Sequence, residues 1–91
     1  MAAAGGVTVR ITVLQQGGTR CVALAGRLTG EEVGALEEAI GDDRSAVRLD
    51  LEDLRSADAD GLGALRRLRA EGVELRNVPP HLEWRIETDE P

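Results

Sequence analysis

Along this chain the spacing of apolar residues switches repeatedly between a period of two and a period near 3.6. That switching limits the possible folds more than any other feature. Val7 to Leu14 reads VTVRITVL, and its alternation puts Val7, Val9, Ile11 and Val13 on one side of a half-buried strand. Gln15-Gln16-Gly17-Gly18 supplies a turn in which both glycines can take positive φ. Thr19 to Ala25 follows as a second strand, with Val22 and Leu24 on one face and Cys21, Ala23 and Ala25 on the other. The two strands predict an antiparallel hairpin, which Gly26-Arg27-Leu28 leaves.

The period then lengthens. Thr29 and Glu32 stand at capping-box spacing, where the hydroxyl reaches the Glu32 amide and the carboxylate reaches back to Thr29. Val33, Leu36 and Ile40 form one helical stripe, and Gly41 stops it. After a polar loop, Asp42 to Ser45, the spacing predicts a third strand over Ala46 to Leu51, with Val47, Leu49 and Leu51 on one face. Asp53 to Asp58 reads as a connection. Asp58 is a good N-cap for a second helix, and Asp60 suits the positive end of its dipole. Leu62, Leu65 and Leu68 make that helix's buried stripe, and Gly72 ends it. Val73 to Val78 predicts a fourth strand, broken by Pro79-Pro80. Leu82 and Ile86 then share one face of a short last helix.

The order ββαβαβα predicts an α/β fold: one domain over 1–91, a mixed four-stranded sheet packed with about three helices. Residues 1–6 are expected to be a flexible start and 88–91 a flexible acidic tail.

Composition narrows the function classes. A chain of 91 residues buries about 60–65% of its unfolded surface, room for one sheet and one or two helical layers but not for a deep substrate pocket. Trp84 is the single aromatic residue, so the core is aliphatic. With 17 acids against 11 bases, the net charge of −6 disfavours nucleic acid as a partner. Every base is Arg, which reads as GC-rich codon usage alongside the many Ala and Gly. The lone Cys21 excludes an intrachain disulfide and gives no sign of secretion. The start lacks the pattern of a signal peptide, and no apolar run approaches the roughly 20 residues of a membrane span. These features predict a cytoplasmic chain with no membrane partner.

The informative stretch is Leu49 to Leu65, LDLEDLRSADADGLGAL. A buried strand ends in an acidic loop and feeds a helix whose first turn is Asp58-Ala59-Asp60-Gly61. Small residues there let a partner's backbone approach the helix start. Three features together resemble the STAS domain, the fold of bacterial anti-sigma-factor antagonists and of the cytoplasmic tails of sulfate transporters. They are the turn Gly26-Arg27-Leu28, the segment Leu49 to Leu54, and the D-x-x-G-L-G turn from Asp58 to Gly63. The resemblance covers roughly Val7 to Glu87.

The resemblance implies a non-catalytic module that docks a protein partner, an anti-sigma factor or a related ATPase-type regulator, in partner switching. The implied contact residues are Asp58, Ala59, Asp60, Gly61, Leu62 and Gly63, with the start of the first helix beside them. In antagonists of the family a Ser or Thr follows the Asp and is phosphorylated by the partner, which breaks the complex. Here that position is Ala59, which has no hydroxyl, and the next is Asp60, which is negative. The expectation is a binding turn without its phosphoswitch. The second helix is short for the family, and the chain stops after the third.

Plainer readings stand beside these. Ser56 satisfies backbone groups rather than serving as a substitute acceptor. Asp58 and Asp60 are a cap and a dipole-matching acid rather than a catalytic pair, since no His, Lys or Cys lies near them in sequence. Asp50, Glu52, Asp53, Asp58 and Asp60 lack the ligand ladder of a calcium loop, so no metal and no cofactor are expected. His81 reads as a surface residue, Cys21 as a small buried hydrophobe, and Arg66, Arg67 and Arg69 as the solvated face of the second helix. Trp84 lies off the Leu82/Ile86 stripe, and two readings stay open for it: closing an edge of the core, or an exposed contact. A second function class arises from the latter, a structural or assembly subunit using Trp84 and the last helix. Monomer or weak dimer is expected.

Overall fold

A computed structural model of the chain describes residues 9–88. It contains strands β1 (Val9–Gln16) and β2 (Thr19–Leu28), helix α1 (Val33–Ile40), strand β3 (Val47–Ala57), helix α2 (Ala59–Ala70), strand β4 (Glu74–Arg76) and helix α3 (Pro80–Thr88). Single 3₁₀ turns, Gly30–Glu32 and Arg44–Ala46, precede α1 and β3. The order is the expected ββαβαβα. The expected flexible start, 1–6, lies outside the described residues, as do Val7 and the tail beyond Thr88.

The four strands form one mixed sheet in the order β1-β2-β3-β4. β1 and β2 are antiparallel, while β2/β3 and β3/β4 are parallel. Both parallel connections step the same way across the sheet. Right-handed crossovers therefore put α1 and α2 on the same face, and burial agrees. Val22, Leu24 and Leu28 of β2 and Val47, Leu49, Leu51, Leu54 and Ala57 of β3 are buried beneath the helices. They meet Leu36 and Ile40 from α1, Leu62, Leu65 and Leu68 from α2, and Leu82 and Ile86 from α3. The opposite face carries Arg10, Thr12, Leu14 and Ala23, all exposed, with Cys21 half-buried among them. Cys21 is thus not the buried hydrophobe its strand position suggested, because nothing in the described chain covers that face.

Each strand ends at a different residue from its sequence reading, for identifiable reasons. β1 runs on through Gln15 and Gln16, which pair with Arg20 and Thr19. Only Gly17 (φ 51°) and Gly18 (φ 85°) turn, giving the two-residue loop with positive φ at both positions that matches strand twist. β2 continues through Gly26-Arg27-Leu28, and Gly26 (φ 99°) sits where the register shifts. β3 does not end at Leu51 in an acidic loop but extends to Ala57. Its register against β2 slips twice. Ala23 to Ala25 spans Asp50 to Asp53, and Gly26 to Arg27 spans Leu54 to Ser56. Each bulge adds one residue to β3 and reverses the parity of the residues beyond it. Leu51, Leu54 and Ala57 therefore all face inward, although their spacing is three. The Asp50 carboxylate supports the first bulge by accepting from the Glu52 amide at 3.0 Å. β4 is cut to three residues.

Arginines join the layers. Arg20 donates to the Ala39 and Ile40 carbonyls at 3.1 and 2.9 Å, closing the C-terminus of α1. Arg66 donates to the Ile86 and Arg85 carbonyls, both at 3.1 Å, so it ties α2 to the last turn of α3 rather than lying on a solvated face. Arg67 is exposed, as expected, and pairs with Glu37 of α1; Arg69 is exposed as well. Arg44 bridges Glu71 at 3.1 Å.

The extended β3 has a measurable consequence. Leu54→Ala removes a side chain that is 2% exposed, and the expected cost is about 2–5 kcal/mol, comparable with Leu51→Ala. Urea denaturation of both variants checks this. A loss below about 0.5 kcal/mol at Leu54, usual for a surface position, would mean that the segment is a loop after all.

Candidate functional site

Asp58 is the residue on which two chain segments converge. It follows the last residue of β3 in extended conformation (φ −79°, ψ −177°) and caps α2, its Oδ1 accepting from the Gly61 amide at 2.8 Å. Its Oδ2 accepts from the Gly30 amide at 3.2 Å, in the 3₁₀ turn that opens toward α1. Its own amide donates to the Leu28 carbonyl at 3.0 Å. One side chain and its backbone thus join the end of β2, the entry to α1 and the start of α2.

The glycines make this approach possible. A Cβ on Gly61 would lie 2.5 Å from the Leu28 carbonyl oxygen, a backbone atom that cannot swing aside. A Cβ on Gly30 would meet the Asp60 carboxylate at 2.8 Å. Gly63 has nothing within 4 Å of that position, so its lack of a side chain serves no packing need inside the chain. The expected reciprocal capping box at Thr29 and Glu32 is not formed. The Thr29 side chain caps no backbone amide; its hydroxyl donates to the Glu32 carboxylate instead. The Glu32 amide bonds the Thr29 carbonyl at 3.0 Å, which closes a 3₁₀ turn.

The result is a shallow surface depression lined by Thr29, Gly30, Glu31, Asp58 and Asp60. Of the six contact residues read from the sequence, Asp58, Ala59 and Asp60 are exposed, Gly63 is half-buried, and Gly61 and Leu62 are buried. The exposed part of the turn is therefore its first three residues, and the buried pair shapes it. The contribution of Thr29 and Gly30 was not visible in the sequence beyond their place near a helix start, because Gly30 meets Asp58 only through the fold. The depression carries carboxylates from Glu31, Asp58 and Asp60 and no cationic side chain, so it presents negative charge.

The other candidates are dispersed. Ser56 lies half-buried within β3 opposite Arg27, not in a loop. Asp50 is engaged with the Glu52 amide and, at 3.2 Å, with the Asn77 side-chain amide. Among the described residues no three His, Cys, Asp or Glu side chains are gathered as a metal site, and no helix is long and apolar enough to cross a membrane. The exposed His81 ring donates from Nε2 to the Arg55 carbonyl at 2.9 Å, fastening the start of α3 to β3. Trp84 is 70% exposed on α3, which resolves its two readings in favour of the surface.

A mixed sheet with its helices on one face, and with two helix entries joined by a single aspartate, defines a small α/β domain. The crystal structure of an anti-sigma-factor antagonist STAS domain from Rhodobacter sphaeroides matches it with a TM-score of 0.57 at 25% sequence identity, covering 81% of this chain and 89% of that one. No protein-family model and no curated protein sequence matches the chain. The fold is STAS-like, and the similarity points to a regulatory role exercised by binding protein.

The two glycines of the turn are expected to respond oppositely to the same substitution. Gly61→Ala forces α2 away from Leu28 and lowers stability by about 1–3 kcal/mol, the usual cost of overpacking. Gly63→Ala adds helix propensity in open space and raises stability by about 0.5–1 kcal/mol. Asp58→Ala, which removes the cap, costs about 0.5–2 kcal/mol. Thermal unfolding of the three variants measures all of these, and equal shifts for the two glycines would refute the geometry.

Proposed function

We propose that the chain is a non-catalytic binding module of bacterial partner switching, and that its working surface is the exposed turn Asp58-Ala59-Asp60 together with the entry to α1 at Thr29 and Gly30. It docks an anti-sigma factor or a related ATPase-type regulator in the cytoplasm. The observation that carries this reading is the Asp58 carboxylate bonded to both Gly61 and Gly30. It gives two helix entries one rigid surface in a fold shared with an anti-sigma-factor antagonist. Preorganisation of that kind reduces the ordering cost of association.

Ala59 occupies the acceptor position and is exposed, so the surface is accessible but has no hydroxyl to modify. Asp60 beside it holds a permanent negative charge. Binding is accordingly constitutive, and complementary charge on the partner speeds encounter and fixes orientation.

The test titrates the purified chain, by calorimetry, with each purified anti-sigma factor encoded in the source genome. Wild type is expected to bind one of them, Asp60→Arg to bind it at least about tenfold more weakly, and intact-mass measurement after incubation with that partner and ATP to find no phosphate on wild type. Undiminished binding by Asp60→Arg, or stoichiometric phosphorylation, would overturn the reading.

The exposure of Trp84, at 70%, favours one alternative: an assembly subunit that uses α3 and not the helix entries. Trp84→Ala separates the two in the same titration. Under the leading reading it binds as wild type does; under the alternative it loses the partner while Asp60→Arg keeps it.

A further inference from the structure

We infer that the chain has a second docking surface, a groove at the C-terminal end of α2 that takes a basic amphipathic helix of a protein partner. The groove is open, about 320 Å³ in volume, and lies between the end of α2, β4 and α3. Its floor is apolar. Val73 and Ile86 are buried at the bottom, and Leu75 and Val78 pack half-buried against the core from outside. Trp84 extends the surface beyond the rim. It stands three residues before Glu87, hence beside it on the helix surface, and is 70% exposed. Tryptophan is among the residue types most enriched where binding energy concentrates.

Charge selects the occupant. Glu83 and Glu87 line the α3 side of the groove at i and i+4, a spacing at which like charges disfavour a helix. Glu87 is also in the last turn of α3, the negative end of the helix dipole, where a carboxylate is misplaced. Both are exposed, and among the described residues no cation stands within ion-pair distance of either. The third carboxylate at the groove, Glu74, already meets Arg48 at 3.4 Å and Arg76 at 3.7 Å. Arg69, on the α2 side, is the single cation that lines it. The Glu83/Glu87 pair thus works against its own helix. Lysines or arginines of a partner meet that pair and are steered to it.

The neighbouring edge decides the mode of docking. β4 has three residues and runs on to Pro79-Pro80, a short, proline-guarded edge that discourages an added strand. A helix laid beside α3 instead presents side chains at i, i+3 and i+4 to the apolar floor. Basic residues four apart on its flank match the spacing of Glu83 and Glu87. This surface does not depend on the one proposed above. α2 separates the two, its 12 residues rising about 18 Å from the Asp58 cap toward the groove, so both can be occupied at once.

Trp84 is the chain's single aromatic residue, so its fluorescence reports on this surface alone. The probes are three synthetic helical peptides of about 15 residues, near the shortest length that holds a helix in water. The first has a leucine stripe flanked by lysines, the second has the lysines replaced by glutamate, and the third has the leucines replaced by alanine. The first is expected to change Trp84 emission saturably, and each of the others to bind at least about tenfold more weakly. Glu83→Lys with Glu87→Lys, both at exposed positions, is expected to reverse the preference between the first two peptides. Asp60→Arg, at the other end of α2, is expected to leave binding unchanged. No saturable response to the first peptide overturns the inference. So does equal binding of either other peptide, a preference that the two glutamate substitutions leave in place, or loss of binding with Asp60→Arg. A response that appears only once residues 89–91 are deleted assigns the groove to the chain's own end and overturns it too.

Discussion

The bond from the Asp58 amide to the Leu28 carbonyl, with the Gly61 helix turn pressed against that same carbonyl, is the constraint from which the helix-entry end of the molecule is built. Leu28 ends β2 and Asp58 follows β3, so the bond fixes the height at which two parallel strands release their chains. Gly61 allows α2 to begin in contact with that backbone. Once α2 starts there, Leu62, Leu65 and Leu68 enter, as one apolar stripe, the core cluster that also holds Leu28, Leu49 and Leu51. The aspartate's two oxygens then hold the first turns on either side. A hydrophobic stripe alone would fix the rotation of the helix but not its axial position. The polar contacts at its start supply that.

Much of this was legible in the sequence because it rests on local rules. The cap at Asp58 followed from residue type and position, and the stripe in α2 from spacing. Glycine at 17 and 18 announced the hairpin, but the two glutamines before it were assigned to the turn because they are polar. They belong to the strand, since an exposed edge strand near its turn has no need of apolar residues. The extension of β3 was illegible for a different reason. Alternation is the only sequence signal for a strand, and two bulges spoil it at Leu51, Leu54 and Ala57. A bulge shows itself only against a partner strand, which the sequence does not identify. Gly30 is similar: its meeting with Asp58 spans 28 residues, and nothing local marks it.

The arginines show why composition alone misleads about solvated faces. Arg66 and Arg67 lie off the apolar stripe of α2, as a helical wheel requires, yet each reaches a neighbouring helix. A long guanidinium can span from the flank of one helix to the carbonyl end or carboxylate of the next. In a chain with a single aromatic residue and an aliphatic core, such contacts set helix–helix registration that larger side chains would otherwise set by shape. Each is worth little as an exposed ion pair. Those to backbone carbonyls at the ends of α1 and α3 are of more consequence, because they satisfy groups that a helix terminus leaves without partners.

Charge gives the molecule a direction that its nearly symmetrical secondary-structure order does not. The hairpin is free of acids, while the depression at the helix entries presents only carboxylates. Ala59, which offers no hydroxyl, stands in that acidic setting. A phosphate added to a neutral turn changes its potential sharply. Added beside Asp58, Asp60 and Glu31, it would meet three carboxylates already present. Under the proposed reading, alanine at the acceptor position and the acidic character of the surrounding surface are consistent with each other. Under the proposed reading, such an acidic surface suits a partner held by charge complementarity, and control of the complex would rest with the partner or with the amount of the chain present.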